Sequence, residues 1–313
     1  MMQNYQTNFL FVFIGMLAFT ASFHSNALEL KVFTLADFDL HGTVKSCLVV
    51  TDYGKEEFDF DELGFLTKSV TRYNDSDYDI TYYKYRNGDV LEKRLENYRE
   101  GVFDKSTSIA NIYEIDTTAN KRIIEKIYSY NKDFLDQYEY IYNAKNKLVA
   151  IKRSNNDGID ETTISYSRYK NENTKTYFLN ETIQKSIRTS IKKKRSGTYE
   201  IRLTKEYLDG KPNKAQEQWF TKDGVLLSEE KFEYDSQEKS FVTASSVHYV
   251  YDDKGMLSRV NTKKDGLEET KEYIYQYDNE EGGNWVKQII TPDNAYTTRK
   301  ITYYQAEGVE EEE

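Results

Sequence analysis

The sequence predicts an all-β fold, an extended antiparallel meander of repeated β-hairpins curled into an open trough or partial barrel. Three observations predict it. Aromatic residues recur two apart, as in Tyr249-Val250-Tyr251, so their rings share one face of a strand. A polar turn with glycine follows, here Asp252 to Gly255, and then an aliphatic restart at Met256-Leu257. Helical periodicity does not persist beyond the first residues, and the longest candidate, 133–147, alternates its tyrosines instead.

The heads run through the chain. Phe58-x-Phe60 precedes Asp61 and Gly64, Tyr83-x-Tyr85 precedes Asn87-Gly88, and Tyr140-x-Tyr142 precedes Asn143 and Asn146. Tyr128-x-Tyr130, Phe232-x-Tyr234 and Tyr275-x-Tyr277 repeat the pattern before Asn131, Asp235 and Asp278. Charged, alternating segments such as Lys287-Gln288-Ile289-Ile290 read as return strands with one wet face. Each hairpin is marginal alone and needs its neighbours to bury its aromatic face.

Composition supports a folded chain. Mean hydropathy is −0.80. Aromatic residues nevertheless make up 15%, with 28 Tyr and 16 Phe, and there are only two prolines among 313 residues. Disordered chains have the opposite bias. Tyrosine buries its ring and keeps its hydroxyl wet, so a thin sheet needs less aliphatic carbon than a globular core. The net charge of −10 disfavours nucleic acid and anionic lipid as partners of the whole surface. One cysteine excludes a disulfide-stapled fold.

The expected organisation has three parts. Residues 1–27 carry no Lys, Arg, Asp or Glu, contain the apolar run Phe9 to Phe23, and end in Ser25-Asn26-Ala27, the plan of a secretory signal peptide cleaved after Ala27, with an uncleaved anchor as the alternative. Residues 28–304 form the β-hairpin repeat domain, with no transmembrane span after signal cleavage. Residues 305–313 are an acidic tail, expected to be disordered. The location expected is periplasmic or secreted.

No catalytic, cofactor-binding or metal-ligating residue is assigned. After His24 leaves with the signal, His41 and His248 remain, without a histidine or cysteine at metal spacing. Cys47 lies in the strand-like SCLVV and reads as a buried small residue. The recurring Asp residues sit at turns, where they cap backbone amides. Asp75 to Asp79 and Asn155 to Asp160 are oxygen-rich loops that do not fit an EF-hand and read as solvated turns. The basic run Ile191 to Gly197 and exposed tyrosines are the candidate interaction features, the first for an acidic partner or the anionic face of a membrane, the second for a protein or glycan ligand.

Two resemblances bear on this reading. Tyr249 to Leu257, YVYDDKGML, resembles the YD or RHS repeat. The stretch from Tyr277 to Tyr304 resembles the closing unit of small exported bacterial YD-type proteins, through Tyr277, Asp278, Gly283, Asn284, Trp285, Lys287, Arg299, Ile301, Tyr303 and Tyr304. The middle, 162–203, departs from that pattern. Tyr207 to Phe232 is similar to a MORN-type repeat, through Gly210, Trp219 and Gly224. Both resemblances imply successive β-hairpins. The function expected is therefore a non-catalytic exported repeat scaffold or binding protein of the bacterial envelope. The alternatives are a MORN-like immunity or antitoxin protein covering a cognate effector and, less favoured, an envelope carbohydrate-active enzyme.

Overall fold

The structure is a computed structural model, and it describes residues 31–278 and 283–305. The segment expected to be a signal peptide and nearly all of the acidic stretch 305–313 lie outside the described residues. A short 3-10 turn, Leu35–Phe38, precedes twenty strands. The first ten are β1 Val44–Thr51, β2 Gly54–Phe60, β3 Leu66–Arg72, β4 Tyr78–Arg86, β5 Asp89–Arg99, β6 Val102–Asp116, β7 Arg122–Ser129, β8 Phe134–Tyr142, β9 Leu148–Asn155 and β10 Gly158–Tyr169. The second ten are β11 Glu172–Leu179, β12 Thr182–Lys194, β13 Gly197–Leu208, β14 Lys211–Thr221, β15 Leu226–Asp235, β16 Ser240–Tyr251, β17 Leu257–Lys264, β18 Leu267–Tyr277, β19 Trp285–Thr291 and β20 Ala295–Tyr303.

Every strand pairs antiparallel with its chain neighbours, and β20 also pairs antiparallel with β1, from Val44 opposite Tyr303 to Val50 opposite Thr298. The all-β expectation holds. The open trough or partial barrel is corrected to a closed 20-stranded barrel. Local hairpin signals carry no information about whether the first and last strands meet, and pairing them satisfies two rows of backbone groups that an open sheet leaves exposed.

The turn grammar of the sequence is realised in detail. In the loops after Phe60, Tyr142 and Tyr251, the residue opening the turn (Asp61, Asn143, Asp252) exchanges backbone hydrogen bonds across it. Its side-chain oxygen also accepts from the amides two and four residues on: Leu63 and Phe65, Lys145 and Lys147, Lys254 and Met256. Gly64, Asn146 and Gly255 then take φ of 81°, 53° and 80°. That left-handed backbone is free for glycine and tolerable for asparagine. Each aliphatic restart holds the next hairpin, because a tyrosine hydroxyl donates to its carbonyl. Tyr85 reaches Leu66 O at 2.7 Å, Tyr166 reaches Leu148 O at 2.9 Å, Tyr251 reaches Leu226 O at 2.8 Å and Tyr275 reaches Leu257 O at 2.9 Å.

The middle of the chain, where the repeat pattern fades, keeps the same pairing with tight turns: only Lys170-Asn171 separates β10 from β11, and Arg195-Ser196 separates β12 from β13. Tyr128 and Phe232 depart from the expected layout. They pair with Ala110 and Ala215 on the outward face and lead into turns at the opposite end from the other heads.

The inward face holds two apolar clusters. One contains Val90, Tyr113, Ile123, Tyr140, Tyr142, Leu148, Ile151 and Ile164. The other contains Leu40, Val44, Cys47, Val49, Phe60 and Leu66. Inward tyrosines keep their protons far into alkali. Burial pushes the hydroxyls of Tyr83, Tyr249 and Tyr275 up to about 12, and those of Tyr113 and Tyr140 higher still, with Glu125 adding to the effect.

Two predictions follow from this architecture. Gly255→Val loses about 1–2 kcal/mol of stability and Gly255→Asn less, because only the backbone conformation is at stake there and no atom lies within 4 Å of an added Cβ. Gly64→Val loses more than Gly255→Val, since its Cβ meets Leu35 Cδ1 at 3.2 Å. Denaturant unfolding of the three variants checks both the ranking and the size. In alkali, the folded barrel retains tyrosine protons that the unfolded chain releases near pH 10, so stability is full below pH 10 and falls as pH rises toward 12. Tyrosinate absorbance rising together with loss of β circular dichroism in that window is the expected result; tyrosines titrating near pH 10 in an intact barrel would refute it.

Candidate functional site: the lumen and its N-terminal plug

The residues before β1 form a plug on the inner face. Phe33 and Thr34 lie against Phe65 and Leu66: Leu66 N donates to Phe33 O and Leu35 N to Gly64 O, both at 3.0 Å. Phe38 packs on Phe58 and Phe60 with ring centroids 4.5 and 5.4 Å apart, and Phe33 packs on Tyr83 at 6.0 Å. Val32 extends to the other apolar cluster. The turn inside the plug is pinned by Asp37, which accepts from Thr34 N at 2.8 Å and pairs with Lys31 at 2.7 Å. Burial alone would raise the Asp37 carboxyl, but Lys31 and the Thr34 donors outweigh it and hold it below its ordinary value.

The C-terminal hairpin latches this plug. Asn284, 1% exposed, accepts from His41 N at 2.8 Å and donates to His41 O and to the Tyr303 hydroxyl, each at 2.9 Å. The Tyr303 hydroxyl in turn donates to Asp278. Arg299 lies 3.5 Å over the Trp285 ring and donates to Phe38 O and Asp39 O. Burial lowers the Arg299 guanidinium to about 10, against the pull of Cys47 and Asp39, so it stays charged at neutral pH. The residues that the sequence singled out as a closing unit thus bind the plug across about 260 residues of chain.

The inner wall is divided. Along β1 to β10 it is filled by the two clusters and the plug. There Glu125 is a half-buried polar knot, accepting from Asn111 at 2.7 Å, Tyr113 at 2.9 Å and Tyr140 at 2.8 Å. Arg153 makes a two-pronged pair with Asp136 at 2.8 and 2.9 Å. Along β11 to β18, no inward residue among the described ones is fully buried. Tyr249 and Tyr273 stand half-buried there, with the inward ion pairs Lys231–Glu229, Lys271–Glu269 and Arg202–Glu200 at 3.0–3.2 Å. A twenty-stranded barrel is wide enough to keep water inside, and this wall is wetted.

The outward wall is polar as well. Cross-strand ion pairs stud it, among them Arg72–Glu57 at 2.6 Å, Lys84–Glu92 at 2.8 Å, Arg122–Glu139 at 2.6 Å, Lys126–Glu114 at 2.6 Å and Arg259–Glu272 at 2.9 Å. A lysine or arginine facing the middle of a bilayer costs about 2–4 kcal/mol, so these positions suit water better than hydrocarbon. No helix among the described residues is long and apolar enough to cross a membrane.

The other residues read from the sequence are dispersed. Cys47 is buried on β1, its thiol pushed up to about 11 by burial despite Arg299 nearby. His41 sits in the plug and His248 on the outward face of β16, so the two do not converge. In 75–79, Asp77 accepts from Asn74 and from the Glu100 amide; in 155–160, Asn155 accepts from the Asp157 and Gly158 amides. Both segments are turn-forming. The basic run ends β12 and opens the turn to β13. The plug was missed by sequence reasoning, although the apolar spacing of Val32, Phe33, Leu35, Phe38 and Leu40 just before the first strand was a visible signal.

No known protein family matches the chain, and no curated protein does. Among solved structures, it is similar to a porin-like protein from Bacteroides uniformis, at 10% identity and a TM-score of 0.34, covering 83% of this chain and 99% of that one. A porin-like protein from Bacteroides vulgatus matches at 8% identity and a TM-score of 0.26, covering 85% and 100%. The functional expectation is corrected at this point. An exported repeat scaffold or binding protein, with its immunity-protein and carbohydrate-enzyme alternatives, was expected on an open trough or partial barrel; the chain closes instead into a 20-stranded barrel that encloses its inner face.

Removing the latch tests the plug. Asn284→Ala strips three hydrogen bonds from a buried site and is expected to destabilise the barrel by about 1–3 kcal/mol. Hydrogen exchange should rise first at residues 32–41. Loosening spread evenly over all strands, with no excess in the plug, would contradict the latch assignment.

Proposed function

We propose that the protein works through its lumen, as a β-barrel conduit that admits small polar solutes along β11 to β18 and is filled along β1 to β10, where residues 32–41 form the plug. The observation that carries this reading is the divided inner wall, filled along β1 to β10 and half-exposed, tyrosine-rich and charged along β11 to β18. Balanced lysines and glutamates over tyrosine rings suit hydroxylated or zwitterionic solutes better than apolar ones. The outward ion pairs support a wall that stands in water, so solute passage is through protein rather than along lipid. We propose no catalytic role: the inward carboxylate Glu125 is taken up by three donors, from Asn111, Tyr113 and Tyr140. An envelope location is part of the proposal and rests on the leader-like residues 1–27 of the sequence.

Thiol accessibility tests the reading. Thr262→Cys places a thiol on the inward face of β17, opposite Val247 and Glu269, and Ile274→Cys places one on the outward face of β18. Cys47 stays silent, being buried with a raised thiol pKa. A small charged thiol reagent should modify both positions, whereas a maleimide on a long polyethylene glycol should modify only the outward one. A lumenal thiol closed to the small reagent would mean a filled barrel. One open to both reagents would mean that the wall does not enclose it.

A further inference from the structure

The outer wall carries a feature that the lumen does not use. A groove of about 560 Å³ lies on the outward face of β11 to β14, beside the β10–β11 turn. Ile201 and Leu203 line it as neighbours on the outward face of β13. Lys170, Arg188 and Lys192 bring three cations to it in a chain whose net charge is −10. Its two carboxylates are engaged: Glu172 with Arg188 at 3.3 Å, and Glu217 as acceptor of Trp219 Nε1 at 2.8 Å. The basic run singled out in the sequence continues this charge. Lys192 and Lys194 stand 5.1 and 4.1 Å over the Trp219 ring on this outward face, while Lys193 between them alternates to the inward face.

An apolar strip bordered by cations matches one kind of molecule. An inorganic anion leaves Ile201 and Leu203 unused. A neutral amphiphile leaves without an anion the ammonium groups of Lys170 and Lys192, which stand over the Tyr169 and Trp219 rings. An amphiphile with an anionic head satisfies both, covering the aliphatic side chains with its tail and pairing its head with ammonium and guanidinium donors. We propose that this groove is a binding site for a single-chain anionic amphiphile, its tail on Ile201 and Leu203 and its phosphate or carboxylate head met by Lys170, Arg188 and Lys192. The site is independent of the lumen, since inward and outward residues alternate along β12 to β14 and the groove is lined mainly by the outward set.

Trp219 is the reporter. The only other tryptophan, Trp285, is 3% exposed under Arg299, whereas Trp219 is half-buried beside the groove. Dodecyl phosphate, kept below its micelle concentration, should change the Trp219 emission with a saturable curve. Dodecyl maltoside and inorganic phosphate, each supplying half of the chemistry, should give no saturable change over the same range. Arg188→Gln with Lys192→Gln should weaken binding at least tenfold while leaving lumenal Thr262→Cys accessibility unchanged, and Leu203→Asp should abolish it with the β circular dichroism retained. Equal response to dodecyl maltoside would reduce the site to an apolar patch, and equal response to phosphate would reduce it to a charge cluster; either overturns the proposal. Binding to phosphatidylglycerol vesicles without any response to dispersed dodecyl phosphate would also overturn it, pointing to a lipid surface as the partner.

Discussion

The antiparallel seam between β1 and β20 is the constraint on which the rest of this structure depends. Twenty strands joined by reversing connections return the last strand beside the first in the opposite direction, which is what lets Val44 face Tyr303 and Cys47 face Ile301. An odd number would bring the two together in parallel, with a different hydrogen-bond pattern. Once the seam forms, no strand edge remains to recruit another chain. The seam also brings the two ends of the chain into one place. The Asn284–His41 and Arg299–Phe38 bonds, between residues some 243 and 261 apart, are local contacts only because the ring has closed.

A closed single-layer wall explains how so hydrophilic a chain folds. There is no second sheet to cover, so apolar carbon is concentrated where the plug meets β1 to β10. Elsewhere the wall is held by its ladders, by tyrosine hydroxyls that donate to the carbonyls of preceding hairpins, and by cross-strand ion pairs. Exposed pairs of this kind contribute little each, typically under about 1 kcal/mol. Their main effect is to keep the outward face wet and the strand register unambiguous, because a slip of one residue would send tyrosines outward and the ion pairs into the lumen.

The same division separates two surfaces with different chemistry. The inner wall along β11 to β18 offers paired charges and half-buried tyrosines to whatever enters. The outer groove on β13 offers aliphatic side chains under a basic rim. Because side chains alternate faces along each strand, neighbouring residues such as Arg202 and Leu203 serve opposite compartments. A substitution at one is therefore a clean probe of one surface.

Much of the local structure was legible in the sequence. The Asp61, Asn143 and Asp252 turns, the positive φ at Gly64, Asn146 and Gly255, and the burial of Cys47 follow from residue types and short spacings, which fix backbone geometry over a few residues. The residues from Tyr277 to Tyr304 were singled out as a unit, but not what they hold, since their partners lie at the other end of the chain. Three things only the tertiary structure decided. Closure depends on strand number and accumulated twist, neither of which any single hairpin encodes. The inward or outward sense of Tyr128 and Phe232 depends on which mouth their turns occupy. The plug is an apolar segment whose burial requires a lumen to receive it. By itself the sequence determined the hairpins and their turns, through interactions spanning a few residues; the ring, its inside and its stopper came from pairing β1 with β20, a contact across the whole chain that local chemistry permits but does not specify.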